Sequence, residues 1–538
     1  MATVYDLQNA PVANANWIDA LLNSYPAWNY ITPFRTTLYY TFSITSGTET
    51  QTYSVSRPNF QAFNAAQQAA AREIMAHAAA VTGIDFVETA SGSNADIHFA
   101  SYDISGPTTS GIASSYGPYS YNAQNVVTSY APEVYIYLDN REFLSLNSSP
   151  VKSNQGYEVL LHEVGHALGL KHPFEGAATL PAGLDDSSHT VMSYTHNSST
   201  SYSTFRELDL AALTYLYGLD GLGGSWGVGT SGYYYQGTSG NETFTAGSGR
   251  HAWAGLGGTD VVNYPAAASG VMFSRTDDSA WLRITGSGFD DWVAPDVERV
   301  GFQSGGTALP VAMLISALGT AAQRVYAGTS ASDVVSGTGG GDLFYLGDAG
   351  NDIFDGAGGV DTALLDLGRA QVQIEQSGVG YRLTGAYGSD TLIGLERLRF
   401  NDKKIALDFD GAAGNSVKLI GAIFGKNYVA AANDATSAAY VGAGLQLFDS
   451  GMTVQQVAEL ALGSGVFPGG RSNANVVTQL YKNVTNTLPG QADLDYFVGW
   501  LDSGLYTQAA LAVFAAESDL NKTNIDFVGL ARSGIEYA

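Results

Sequence analysis

The 538-residue chain contains no cysteine. Disulfides, thiolate metal sites and cysteine nucleophiles are therefore excluded, and a metal would have to be held by histidine or oxygen donors. Basic residues are scarce: 24 Lys and Arg face 50 Asp and Glu, for a net charge of −26. Nucleic acid and anionic membrane surfaces repel such a chain, so neither is expected as a partner. Long hydrophobic runs are missing too. The purest, AALAVFAA at 509–516, is far too short to span a bilayer. The opening MATVYDLQNAPVANANW has no basic start and no apolar stretch, so no Sec-type signal peptide is expected. Proline is modest at 15, whereas the 64 glycines crowd between about 220 and 360 and suggest a tightly turning β architecture there. A chain this long exceeds one core, and several domains are expected.

Ahead of position 220, NFQAFNAAQQAAAREIMAHAAAVTG (59–83) reads as an Ala-rich helix stopped by Gly83. Strand-like runs follow at 84–90, 95–101, 111–117 and 134–140. GYEVLLHEVGHALGL then returns to helical spacing, with Leu160, Leu161, Val164, Ala167 and Leu168 available to a core. The pattern is that of an α/β layer arrangement.

Only eight histidines occur in the chain, yet LLHEVGHALGLKHPFEG (160–176) holds three. Three histidines at preset positions arise in about 3 × 10⁻⁶ of windows, before Glu163 and Gly169 are also required. His162 and His166 stand at i and i+4, so both imidazoles leave one helix face about a turn apart. Gly169 can take positive φ, end the helix and bring His172 back to the same point. Three neutral imidazoles with an open fourth position suit a catalytic zinc. Glu163, beside the first ligand, can act as general base. The bland alternative is a buried helix whose histidines merely pack.

HExxHxxGxxHP, ending here in Pro173, resembles the metzincin signature in its serralysin branch. TVMSYTH (190–196) is similar to the methionine turn of that family. The resemblance implies a zinc endopeptidase with one catalytic zinc on His162, His166 and His172. It also implies Met192 as an apolar floor under the metal, and Tyr194 as a switchable fifth ligand that donates to the oxyanion. WIDALLNSYPAW (17–28) and FRELDLAALTYLYG (205–218) resemble the first and last helices of the catalytic domain, and SGIASSYG (110–117) the edge strand that pairs with substrate backbone near Ala113. An ordinary edge strand remains the alternative for that segment. His189 and His196, on either side of the turn, are read as bystanders.

Beyond 328 the text GTSASDVVSGTGGGDLFYLGDAGNDIFDGAGGVDTALLD puts Asp333, Asp342, Asp352 and Asp361 at intervals of nine, ten and nine, each closing a Gly-rich turn before an apolar stretch. This is the nonapeptide repeat of a calcium-binding parallel β-roll. A coil of about eighteen residues pairs Asp333 with Asp352 and Asp342 with Asp361, and several structural Ca²⁺ ions are expected. The earlier copy has Glu242, His251 and Asp260 at the key positions, so its coils are expected and its metal sites doubted. GGTDVV (257–262) with DVERVGF (296–302) parallels GGVDTA (358–363) with GLERLRF (394–400), which marks two related β modules.

From 411 onward the chain turns Ala-rich and helical, with Thr453 and Gln456 spaced as a capping box. Over about 480–530 this part resembles a small helical domain found on secreted bacterial proteins, which could anchor the chain to a cell surface or matrix, or cap the roll. The expected organisation is thus a multidomain chain: an α/β metzincin catalytic domain at 1–220, a degenerate β module at 221–312, a calcium-binding β-roll at 313–410 and an all-α region at 411–538. The expected protein is a monomeric, secreted zinc endopeptidase exported by the type I route, with protein or peptide substrates. A surface-layer or matrix-binding protein that keeps a protease-like scaffold is the alternative.

Overall fold

A computed structural model describes every residue except 1, 153, 198–200, 277–279, 303–307, 348, 379 and 430–434, with residue 269 described by its backbone alone. The chain forms two compact units: residues 1–264 with 276–300, and residues 265–275 with 301–538. This division is coarser than the four-part organisation expected from the sequence.

The first unit opens with a mixed sheet. Its strands are β1 (Thr37–Thr41), β2 (Asp85–Glu88), β3 (Ile97–Tyr102), β4 (Gly111–Tyr116) and β5 (Glu133–Asp139), ordered β2-β1-β3-β5-β4. All neighbours run parallel except β4, which lies antiparallel on the outer edge with Ala113 opposite Ile136. β3 and β5 are buried almost throughout because both faces are covered. On one face Leu38, Ile97, Phe99, Val134 and Ile136 share a core with three helices: α1 (Ala65–Thr82), α2 (Gln155–Ala167) and α3 (Glu207–Tyr217).

Helix α1 is shorter than its alanine content suggests. Asn64 caps the amides of Ala66 and Gln67, and the Gln67 side chain answers the Asn64 amide, so the helix starts there and not at 59. The preceding Gln61–Ala62 is instead extended and pairs with β3. Gly83 closes the helix at φ 72°, as its position predicts.

The glycine-rich part of this unit deals alternate strands to different sheets. β6 (Tyr233–Gln236) pairs in parallel with β8 (His251–Ala254), while β7 (Thr243–Thr245) pairs with β9 (Val261–Tyr264). Tyr233↔His251 and Thr243↔Val261 are separated by the same interval, one full coil of the repeat. A hairpin of β10 (Leu282–Gly286) and β11 (Phe289–Val293) extends the first of these sheets.

The second unit repeats the alternation. β12 (Val325–Ala327), β14 (Leu343–Tyr345) and β16 (Thr362–Leu364) stack in parallel in one sheet, and β13 (Val334–Ser336) and β15 (Ile353–Asp355) in another. Each partner again lies one coil further along the chain, as Val325↔Leu343 and Val334↔Ile353 show. Phe344, Phe354, Ala363 and Leu392 fill the space between. Helices then dominate from residue 412, and Thr453 and Gln456 cap each other reciprocally as their spacing predicts. The chain ends on a strand, Ile535–Tyr537, which lies antiparallel to Lys404–Ala406 at the sheet's end. Arg397, only 4% exposed, ties this sheet to the helices through Asp408 and Asp449. No helix of the described residues is long and apolar enough to cross a membrane.

Candidate metal centre

Helix α2 begins where Asn154 accepts the Tyr157 amide, and its buried face carries Leu160, Leu161 and Val164 into the core. That fixes the rotation of the helix and leaves His162, Glu163 and His166 on the side toward the cleft. At the far end Trp28 Nε1 donates to the Ala167 carbonyl and the Tyr217 hydroxyl to that of Leu168, so the last turn is held from outside. Gly169 follows at φ 96°, a conformation that favours glycine, and the chain turns back to deliver His172.

The Nε2 atoms of His162, His166 and His172 form a nearly equilateral triangle with edges of 3.1, 3.1 and 3.2 Å. A zinc ion about 2.0–2.1 Å from three imidazole nitrogens at tetrahedral angles needs them about 3.3 Å apart, so the donor set fits. Each Nδ1 is engaged elsewhere: His162 with the Val191 carbonyl at 2.8 Å, His166 with the Leu170 carbonyl at 2.9 Å, and His172 with Glu175 Oε1 at 2.9 Å. Carbonyls only accept, so Nδ1 of His162 and of His166 carries the proton and Nε2 offers its lone pair inward. Burial and the neighbouring imidazoles hold His162 down at about 3, and burial holds His166 at about 4, so both stay neutral at physiological pH. Among the described residues these are the only three histidines that converge in this way.

Glu163 lies beside this triangle, 5% exposed, and burial pushes its carboxyl up to about 8 against an opposing hydrogen bond from the Ala113 amide. That amide belongs to edge strand β4. Asp139 N–H donates to Ser110 O, and the alternation from there leaves the backbone groups of Gly111, Ala113 and Ser115 on the unpaired edge. Gly111 is also needed for space, since a Cβ there would come within 2.9 Å of Glu163 Oε1.

Tyr194 is 64% exposed, its ring 4.6 Å from that of His172 and 5.9 Å from that of His162. Burial of its hydroxyl, then the carboxylates of Glu163 and Glu175, raise its pKa. Met192 is fully buried, its sulfur against Gly165 of α2. His189 hydrogen-bonds Asp186 at 3.1 Å, and neither it nor the exposed His196 joins the triangle.

Sequence reasoning missed the residues that orient the site. Asp209 of α3 is fully buried and accepts from the Thr190 hydroxyl, the Val191 amide and the Arg206 amide, thereby fixing the residue whose carbonyl holds His162. Glu175 stands three positions after His172, a spacing that could have marked it as a partner. Asp209 gave no such signal, being distant in sequence and unremarkable on its helix.

In the glycine-rich turns the four aspartates come together by pairs. The Asp333 amide donates to Asp352 Oδ1 at 2.8 Å, and the Asp342 amide to Asp361 Oδ1 at 2.7 Å. Two acceptors absent from the sequence reading continue the ladders: Asp390 receives the Asp352 amide and Glu396 the Asp361 amide. In the first unit, Glu242 and Asp260 are linked likewise, and His251 is satisfied by Asp291 at 2.9 Å.

The matrixin family matches residues 45–218. Serralysin from Photorhabdus laumondii is 31% identical over 179 residues, covering 30% of this chain and 34% of that protein. Metallopeptidase AprA from Pseudomonas marginalis is 33% identical over 171 residues, and metalloprotease AprA from Pseudomonas entomophila 30% over 185, covering 34% and 36% of those proteins. The chain thus spans about a third of the length of these relatives. Among solved structures, the extracellular lipase LipA from Serratia marcescens aligns over 32% of this chain and 37% of its own at 16% identity and a TM-score of 0.12, too slight a likeness to argue from. The matched stretch contains the histidine triangle, and over it the chain is similar to matrixins and serralysins.

Proposed function

We propose that this chain is a secreted zinc-dependent endopeptidase that hydrolyses peptide bonds of extracellular or surface proteins. One observation carries the reading: three imidazole nitrogens 3.1–3.2 Å apart, with a buried glutamate beside them. A protein that merely kept the scaffold would have no need of Glu163 in a desolvated cleft.

Zinc, when bound by His162, His166 and His172, polarises the scissile carbonyl and makes water acidic enough to attack at neutral pH. Glu163 takes the proton of the attacking water and hands it to the leaving amine, and its place beside the three histidines suits both halves of that task. The Ala113 edge of β4 aligns the substrate by adding its backbone as a further strand. Tyr194, exposed and beside His172, donates to the oxygen that gains negative charge, a contact worth roughly 3 kcal/mol when preorganised. Met192 packs under the helix and touches no substrate.

Calcium fits the turns of the second unit. Asp361 Oδ2 is buried without a hydrogen-bond partner among the described residues. A Cβ on Gly356 would meet that oxygen at 2.4 Å and Gly394 O at 2.3 Å, and one on Gly337 would meet Asp342 Oδ2 at 2.6 Å and Gly356 O at 3.0 Å. Carboxylate and carbonyl oxygens converging where only glycine leaves room are the donors that Ca²⁺ takes. Such turns, their carboxylates repelling one another, would fold only where calcium is plentiful, which supports export by the type I route in an unfolded state. The closing strand Ile535–Tyr537, which covers a sheet edge, favours a capping role for the helical region over an anchoring one.

The test is hydrolysis of unfolded casein by the purified chain and by Glu163→Ala, each with measured zinc and with or without Ca²⁺. Cleavage by the first, with zinc retained and cleavage lost in the second, supports the reading. A zinc-loaded chain that cuts neither casein nor surface proteins would transfer the weight to a binding scaffold.

A further inference from the structure

The cleft that opens on His162 and Glu163 continues into a cavity of about 410 Å³, walled by Thr108, Ser110, Val159, Val191 and His196. Its remaining carboxylate is Glu158, one helical turn before His162 and therefore on the same face of α2. Glu158 is 6% exposed, and its Oε2 has no hydrogen-bond partner among the described residues. The Tyr202 amide and the Ser201 hydroxyl hold the carboxyl group in place without completing its set of partners. Among the described residues, no lysine or arginine lines the cavity.

A buried carboxylate left partly unpaired is unfavourable unless something else supplies the missing donor. Glu158 lies in the wall of that cavity, where an entering side chain would meet it. We infer that Glu158 makes this cavity select substrates that carry a lysine or arginine side chain next to the scissile bond. The inference rests on the hydrolase reading above.

Reach supports it. With the peptide backbone held level with Glu163 by the edge of β4, Glu158 lies about 7.5 Å away along the helix axis at about 1.5 Å per residue. An extended lysine side chain covers about 6 Å from Cα to Nζ, and an arginine slightly more. Shorter polar side chains stop short of the carboxylate, and an aliphatic one would leave it desolvated and unpaired, which discriminates more strongly than a missing methylene does. Burial raises the Glu158 carboxyl above the usual carboxylate range, and an arriving cation would reverse that shift. The chain's net charge of −26 favours cationic substrates at encounter as well.

The experiment uses the zinc-loaded full chain and peptides identical except for lysine, arginine, leucine or glutamate at each position flanking one bond. On one flank, kcat/KM is expected to favour lysine or arginine over leucine by about tenfold or more. Glu158→Gln, which keeps shape and removes charge, should erase that preference while leaving the leucine peptide within about threefold, and Glu158→Leu should reverse it. Binding of the same peptides to Glu163→Ala, followed by fluorescence anisotropy, gives a second readout without turnover. The lysine peptide should bind more tightly than the leucine peptide there, and adding Glu158→Gln should remove the difference. Equal cleavage of lysine and leucine peptides, or a preference that survives Glu158→Gln, overturns the inference and leaves the hydrolase reading standing. Failure to cut any peptide or casein overturns the hydrolase reading, and the anisotropy comparison then decides the charge preference of the cavity by itself.

Discussion

Gly165 sits between two of the histidines, and its reason for being glycine lies under the helix. A Cβ there would come 2.6 Å from Met192 Sδ, well inside the 3.4 Å at which ordinary contact begins, with Phe205 Cε1 a further neighbour at 3.5 Å. Met192 is fully buried, so its sulfur cannot swing into solvent to make room. Gly165→Ala should therefore bring an overpacking cost of about 1–3 kcal/mol. The better helix propensity of alanine offsets about 1 kcal/mol of that, for a net loss of about 0–2 kcal/mol. Met192→Ala alone creates a cavity at a cost of about 2–5 kcal/mol. In the double variant the new methyl occupies part of that cavity, the clash is gone and the propensity gain remains. The pair should thus be less destabilised than Met192→Ala by about 1 kcal/mol, a coupling of about 1–3 kcal/mol relative to the sum of the singles. The assay is denaturant unfolding of the zinc-free full chain, followed by tryptophan fluorescence, because six of the seven tryptophans lie in the first unit. A zinc competition titration on the same four proteins would follow how far a displaced helix weakens the adjacent His166. Additivity within about 0.5 kcal/mol, or a double variant less stable than Met192→Ala, would refute the view that Gly165 exists to admit the Met192 sulfur.

Glu163→Ala should lower casein hydrolysis by a factor of about 10²–10⁴ while zinc content, measured by atomic absorption, stays at that of the parent. Gly169→Ala forces a side chain into a backbone at φ 96°. It should cost about 1–2 kcal/mol and weaken zinc binding, because His172 is delivered by that turn. The second unit should also respond to pH. Burial, together with neighbouring carboxylates, raises Asp361 and Asp390 to about 6, above the value of 3.8 in an unfolded chain. The folded state therefore holds more protons between about pH 4 and 6, and without calcium stability should fall as pH rises through that window. Melting in EGTA should accordingly be higher at pH 5 than at pH 7, and millimolar Ca²⁺ should remove the difference. An unchanged melting temperature across that range would contradict the assignment.

The fold was legible where one periodicity dominated and illegible where two elements competed. The run from Tyr157 to Gly169 could be read as one helix because the apolar positions, the i and i+4 histidines and the terminal glycine all demand it, although its start at the Asn154 cap was not marked. The segment 59–64 could not, since its composition favours helix while a reciprocal Asn64–Gln67 cap and pairing with β3 keep it extended. Strand β1 went unread because five residues of mixed character gain their place only by lying between β2 and β3. The pairing of Asp333 with Asp352 followed from repeat length alone, whereas Asp390 and Glu396 enter the same ladders only after a hairpin interrupts the repeat.

The same contrast divides the candidate site. Residues that would touch zinc announce themselves, because a metal demands particular side chains at particular spacings and few other duties do. Residues that position those ligands do so through backbone groups, and a backbone carbonyl has no signature in sequence. Val191 and Leu170 hold His162 and His166 by their carbonyls alone, so either could be replaced by another apolar residue without loss of the contact. Asp209 acts one step further back, by fixing the peptide that presents Val191. Its burial and three incoming donors single it out only once the chain is folded. Glu158 lies between these cases. On α2 it is one more polar residue in an amphipathic pattern, and it acquires a chemical meaning from the cavity that Thr108, Ser110 and His196, remote in sequence, complete around it. The residues that a metal would take were therefore readable from a short run of sequence, whereas the residues that wall the cleft required the fold.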